Sequence, residues 1–139
     1  MSSAIKNNFH DESVTEASLI DSVYEFLNCK DLLTKELIKI LIQDIILFDN
    51  KQHDYGPRNI SDFGELGVLV RVNDKIQRLR HLHNDRKYDS PKNESVEDSW
   101  ADITVYGAIA RMVRNGNWPE SSSRKLSQDS SELPTTGSP

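Results

Sequence analysis

Apolar positions recur at three- and four-residue intervals over four stretches of this chain and alternate cleanly nowhere, which predicts helices and no strands. The first stretch runs from about Val14 to Asn28, with Ile20, Val23, Tyr24 and Leu27 on one face and Ser13 and Glu16 at capping-box spacing. The second runs from Thr34, a candidate N-cap, to about His53, with Leu37, Ile38, Leu41, Ile45 and Phe48 as its stripe. Gly56-Pro57 supplies the stop. The third starts at Asp62 or Phe63 and ends at His83, and Val68, Leu69, Val72, Ile76 and Leu79 make its stripe. The fourth follows Pro91, starts at Asn93 or Ser95 and ends near Gly116.

The fourth stretch is apolar around most of its circumference. Such a helix belongs at the centre of a bundle or at a subunit interface. The predicted fold is all-α, a bundle of about four helices. Self-association into a homo-oligomer, a dimer or higher, is expected through Val105, Ile109 and Met112. Residues 1–12 show no sustained periodicity and read as a flexible arm. From Pro119 the chain is rich in Ser, Thr and Pro, so residues 119–139 read as a disordered tail and 13–118 as the helical domain.

Charge narrows the function. With 17 Lys+Arg against 22 Asp+Glu the formal net charge is -5, so little is gained from releasing counterions on a nucleic-acid backbone. This argues against nonspecific nucleic-acid binding. Cys29 is the only cysteine, which excludes a disulfide framework and a thiolate zinc site within one chain. The absence of a membrane-length apolar run or a signal-peptide pattern leads to the expectation of a cytoplasmic protein.

The acids inside apolar arcs carry more information. At about 100° per residue, Asp44 falls among Leu37, Ile40 and Phe48, and Glu65 falls between Val72 and Ile76. Asp98 and Asp102 share a face with Val105, Ile109 and Val113, opposite the solvated Glu97, Thr104, Arg111 and Asn115. Buried carboxylates need a cation, a hydrogen-bond donor or a metal. Glu65, Asp98, Asp102 and Asp44 together would form an oxygen cage suited to magnesium, with Asp102 and Asp98 as candidate catalytic acids. Salt bridges to Arg71, Lys75 or Arg78 would serve equally well. So would a helix N-terminus beside Asp98 or Glu65.

Arg71, Lys75 and Arg78 form a basic edge beside the third stripe and are candidate phosphate ligands, or a solvated flank. Lys51, His53, Asp54 and Tyr55 cluster at the end of the second helix, where binding groups often gather. Lys51, Asp54 and Tyr55 are candidates for a nucleotide-binding mouth. Trp100 and Tyr106 are able to stack on a base, although aromatics at helical spacing usually serve a core.

Three blocks in order resemble one family. Lys51-Gln52-His53-Asp54-Tyr55-Gly56 resembles a K-x-x-D-Y-G signature. Gly67 with Arg71, Asp74-Lys75 and Arg78-Leu79 resembles a G-x-x-x-R-x-x-D-K-x-x-R-L block. Glu94-Ser95, Asp98, Asp102 and Tyr106 resemble an E-S-x-x-D-x-x-x-D-x-x-x-Y helix. Together they span roughly residues 35 to 118 and resemble the nucleotide modification associated domain, type one, a family common in phages. The paired acids also resemble the all-alpha nucleoside triphosphate pyrophosphatases of the MazG and dimeric dUTPase type. Those carry E-x-x-E and E-x-x-D, whereas this chain has Asp44 and Asp49 on its second helix and D-x-x-x-D on its fourth.

The resemblance implies a phage-type protein that handles a nucleotide. One expectation is magnesium-dependent hydrolysis of a nucleoside triphosphate, or support of nucleotide or DNA-base modification. The alternative is a non-catalytic nucleotide-binding protein, either a sponge for a signal nucleotide or an accessory subunit of a modification enzyme.

Overall fold

The computed structural model describes residues 14–85 and 91–120, and among these every regular element is a helix. They are α1 (Glu16–Phe26), α2 (Leu33–Tyr55), α3 (Arg58–Ser61), α4 (Gly64–Asn84) and α5 (Val96–Arg114). The all-α expectation holds. The proposed arm at 1–12 lies outside the described residues, as does nearly all of the proposed tail. None of the described helices is long and apolar enough to cross a membrane.

The chain divides into two compact units, Met1–Gln43 and Asp44–Pro139. In the first, α1 is capped by Thr15, whose side chain accepts from Ser18 N, rather than by the Ser13–Glu16 pair expected from spacing. The loop before α2 places Asp31, not Thr34, at the helix start, where its carboxylate accepts from Leu33 N at 2.9 Å. Lys35 bridges to Asp21 at 2.8 Å and lies over the Tyr24 ring. Of the expected second stripe, Ile38 is buried, whereas Leu37 and Leu41 remain exposed.

The second unit carries the core. Ile60, Val68, Val105 and Ile109 are buried together, with Phe48, Val72, Tyr106, Met112 and Trp118 packed around them. Helix α2 stops at Gly56, whose φ of +64° suits glycine. Beyond it comes a short turn of helix that periodicity did not reveal, α3, separated by Asp62 and Phe63 from α4, whose first residue Gly64 has φ +59°. The carbonyl of Pro57 accepts from Ile60 N, Ser61 N and Trp118 Nε1. Trp118 also meets Phe48 edge to face. Ser61 Oγ donates to Pro119 O at 2.7 Å, so the packed chain extends past the expected boundary at Trp118.

Helices α4 and α5 pack antiparallel. Arg78, near the end of α4, reaches Ser95 and Ser99 at the start of α5, while Glu65 at the start of α4 reaches Arg114 at the end of α5. Val105 and Ile109 lie inside this arrangement and Met112 packs against it, so they are not the exposed contact residues expected of an oligomer.

Candidate functional site

Three helical stripes meet around one pocket of the second unit. From α2 come Phe48, Lys51, Gln52 and Tyr55, and from α4 come Arg71, Asp74 and Lys75. Helix α5 supplies Asp102, Val105, Tyr106 and Ile109, and Glu94 enters from the segment just before it. Each stripe follows three- and four-residue steps, so each helix presents its contribution on one side. The pocket has a volume of about 540 Å³, within the ~300–1,000 Å³ usual for small-molecule sites.

At its floor a chain of alternating charges runs between helices. Asp102, only 5% exposed, accepts from Lys51 through Oδ1 and pairs with Lys75 through Oδ2 at 2.8 Å. Lys75 in turn donates to both carboxylate oxygens of Glu94, at 2.8 and 3.1 Å. Burial pushes the Asp102 carboxyl up. The hydrogen bonds from Lys51 and Lys75 outweigh it and hold the group below the usual carboxylate range. Burial likewise works against charge on Lys75, but Asp102 and Glu94 overcome it and leave its pKa raised. The pair is therefore ionised in the folded protein. A carboxylate held this way is a weak base, which counts against Asp102 as an acid–base catalyst.

Arg78 has a different task. It donates to the carbonyls of Glu94 and Ser95 and, at 2.5 Å, to Ser99 Oγ. Ser99 is completely buried. Arg78 thus ties the end of α4 to the start of α5 and does not line the pocket. The side of α4 expected to be a basic edge is turned toward α5. Conversely, Leu69 and Ile76, expected in the core stripe, are exposed at 62% and 40%. Val68, Val72 and Leu79 of the same stripe do turn inward.

The remaining acids do not converge. Glu65, expected on the core face, is exposed and pairs with Arg114 at 3.1 Å. Asp98 is spent on the N-terminus of α5, forming a capping box with Ser95. Hydrogen bonds from the Ser95 hydroxyl and backbone hold its carboxyl below the ordinary value. Asp44 is buried as expected, but its Oδ2 has no hydrogen-bond partner among the described residues. Burial first, and then the charge of Glu97, push its pKa up. Among the described residues no three His, Cys, Asp or Glu side chains are grouped to hold a metal ion.

Of the expected nucleotide-binding residues, Lys51, Tyr55, Arg71 and Lys75 do line the pocket. Asp54 does not, and faces His53 on the surface at 3.3 Å. Asp74 and Glu94, not among the residues expected at the site, also line the pocket. Phe48, expected in a core stripe, lines the pocket too, and its spacing to Lys51, Gln52 and Tyr55 places the four on one face. Glu94 lies outside any helix, and no periodicity announces it.

No protein family, curated protein or solved structure matches this chain. The resemblance to the nucleotide modification associated domain rests on the three sequence blocks alone.

Proposed function

We propose that the chain binds a nucleotide in the pocket between α2, α4 and α5, as a binding protein rather than a hydrolase. The observation that carries this reading is Arg71. It is half-buried in the pocket wall, yet it forms no ion pair or hydrogen bond with any described residue. A guanidinium fork left open in a concave site is suited to a phosphate, which it grips through two parallel hydrogen bonds. Phe48, Tyr106 and Ile109 supply the apolar wall that a base or sugar needs.

The non-hydrolytic form is favoured because Asp102 and Glu94, the buried and half-buried carboxylates of the pocket, are neutralised by lysines. Asp74 has no such partner among the described residues and is the pocket carboxylate able to meet a magnesium ion carried on ligand phosphates. Calorimetric titration of the full chain with a panel of nucleotides, with and without magnesium, tests the reading. Binding by at least one nucleotide, lost in Arg71→Gln without a change in melting temperature, is expected. Failure of every nucleotide to bind overturns it. Release of phosphate or pyrophosphate would restore the hydrolase.

A further inference from the structure

The charge inventory of the pocket limits what it holds. Three cations line it, Lys51, Arg71 and Lys75, and so do three anions, Asp74, Glu94 and Asp102. Two of the cations are already used. Lys51 and Lys75 share Asp102, and Lys75 also holds Glu94, whose carboxylate lies 3.9 Å from Arg78 as well, so both lysines are engaged by carboxylates. The residual pair is Arg71 and Asp74, neither of which has a partner among the described residues. They stand three positions apart on α4, on the same side of the helix.

We infer that this pocket accepts a ligand with one phosphate group, a nucleoside monophosphate, and rejects the corresponding triphosphate in the absence of a divalent cation; the inference rests on the nucleotide-binding reading. A single phosphate, at about -1.5 to -2 near neutral pH, engages the open Arg71 fork. A second and third phosphate find no further open cation among the described residues of the pocket wall. They meet Asp74 or must break the lysine–carboxylate chain. Removing Lys75 from Asp102 would leave a carboxylate buried without its counter-charge, so the chain resists that exchange. Like charge placed against an unpaired carboxylate is a device for rejecting a competing ligand as much as a cost to binding.

The test titrates the full-length protein in EDTA with matched sets of nucleoside, 5′-monophosphate and 5′-triphosphate for each base, and with inorganic phosphate. For at least one base the monophosphate should bind about tenfold or more tighter than both its nucleoside and its triphosphate. Arg71→Gln should erase the advantage of monophosphate over nucleoside. Asp74→Asn should narrow the gap between monophosphate and triphosphate. Neither residue holds the fold together through an ion pair, and an unchanged melting temperature confirms that each variant is intact. A wild-type protein that binds triphosphate as tightly as monophosphate in EDTA overturns the inference and leaves the nucleotide reading standing. A protein that binds no member of the panel, or binds inorganic phosphate as well as any nucleotide, overturns the nucleotide reading itself.

Discussion

Two buried aspartates, Asp102 and Asp44, are matched in depth and opposite in surroundings. Asp102 is 5% exposed and Asp44 8%. Asp102 stands between two lysines from different helices, and its carboxyl is held below the ordinary range. Asp44 has an oxygen with no partner among the described residues, and burial and the like charge of Glu97 push its carboxyl up. Burial alone therefore says little about what a carboxylate does. Around Asp102 the acid cross-links three segments and forms the floor of a pocket. Around Asp44 it is a cost carried by the fold, since a buried carboxylate oxygen without a donor is destabilising.

The sharpest way to break this contrast is Asp102→Asn. The substitution keeps the shape, deprives Lys51 of its partner and leaves Lys75 with Glu94 alone. Breaking a fully buried pair costs ~3–5 kcal/mol. Both lysines retain some solvent contact, so a loss of about 2–3 kcal/mol in urea denaturation is expected. A variant as stable as the wild type would show that the charge chain contributes nothing to the fold.

A smaller effect is expected at the end of α4. Arg78→Lys keeps the charge and discards the planar fork that reaches Glu94 O, Ser95 O and Ser99 Oγ together. A loss of about 1–2 kcal/mol should follow from the unmet carbonyls and the buried Ser99 hydroxyl. Full tolerance of lysine would mean that charge alone, rather than the fork geometry, matters at this corner.

Asp44→Ala should act in the opposite direction and most weakly. It removes the unpartnered oxygen and improves helix propensity within α2, for a gain of about 1 kcal/mol near neutral pH. The gain should depend on pH. Because the folded-state pKa of Asp44 is raised, its penalty is present above that raised value. The penalty fades as pH falls through the raised value toward the ordinary one. Asp102 behaves inversely. Its folded-state pKa is lowered, so its stabilisation is complete above the ordinary carboxylate value and is lost as pH falls through the lowered one. The advantage of Asp44→Ala over wild type, read as a shift in urea midpoint, should therefore shrink between about pH 7 and about pH 4. An advantage independent of pH would assign the effect to helix propensity alone.

Much of the local architecture was legible in the residues. Ser95 as the cap of α5 and Gly56 as the stop of α2 are decided within a turn of the chain, by which backbone groups lack partners and which φ a residue tolerates. The solvated face of α5, with Glu97, Thr104, Arg111 and Asn115, followed from helical spacing and is exposed as expected. The short helix α3 escaped because four residues are fewer than the pattern needs to declare itself.

The sequence by itself determined that the chain is helical, where most of its helices begin and end, and that Asp44 and Asp102 are acids set among apolar neighbours. Only the tertiary structure decided what stands opposite each charged side chain of α4 and α5, and with it the fate of each acid. Of the stripe that hydrophobic spacing favoured, Val68, Val72 and Leu79 turn inward, whereas Leu69 and Ile76 stay exposed. Pairing across helices brought Lys75 to Asp102 and Arg78 to Ser99, because the strength of an ion pair depends on what stands opposite it in space. The same pairing left Arg71 open beside them, and no property of Arg71's own neighbours along the chain distinguishes it from Arg78.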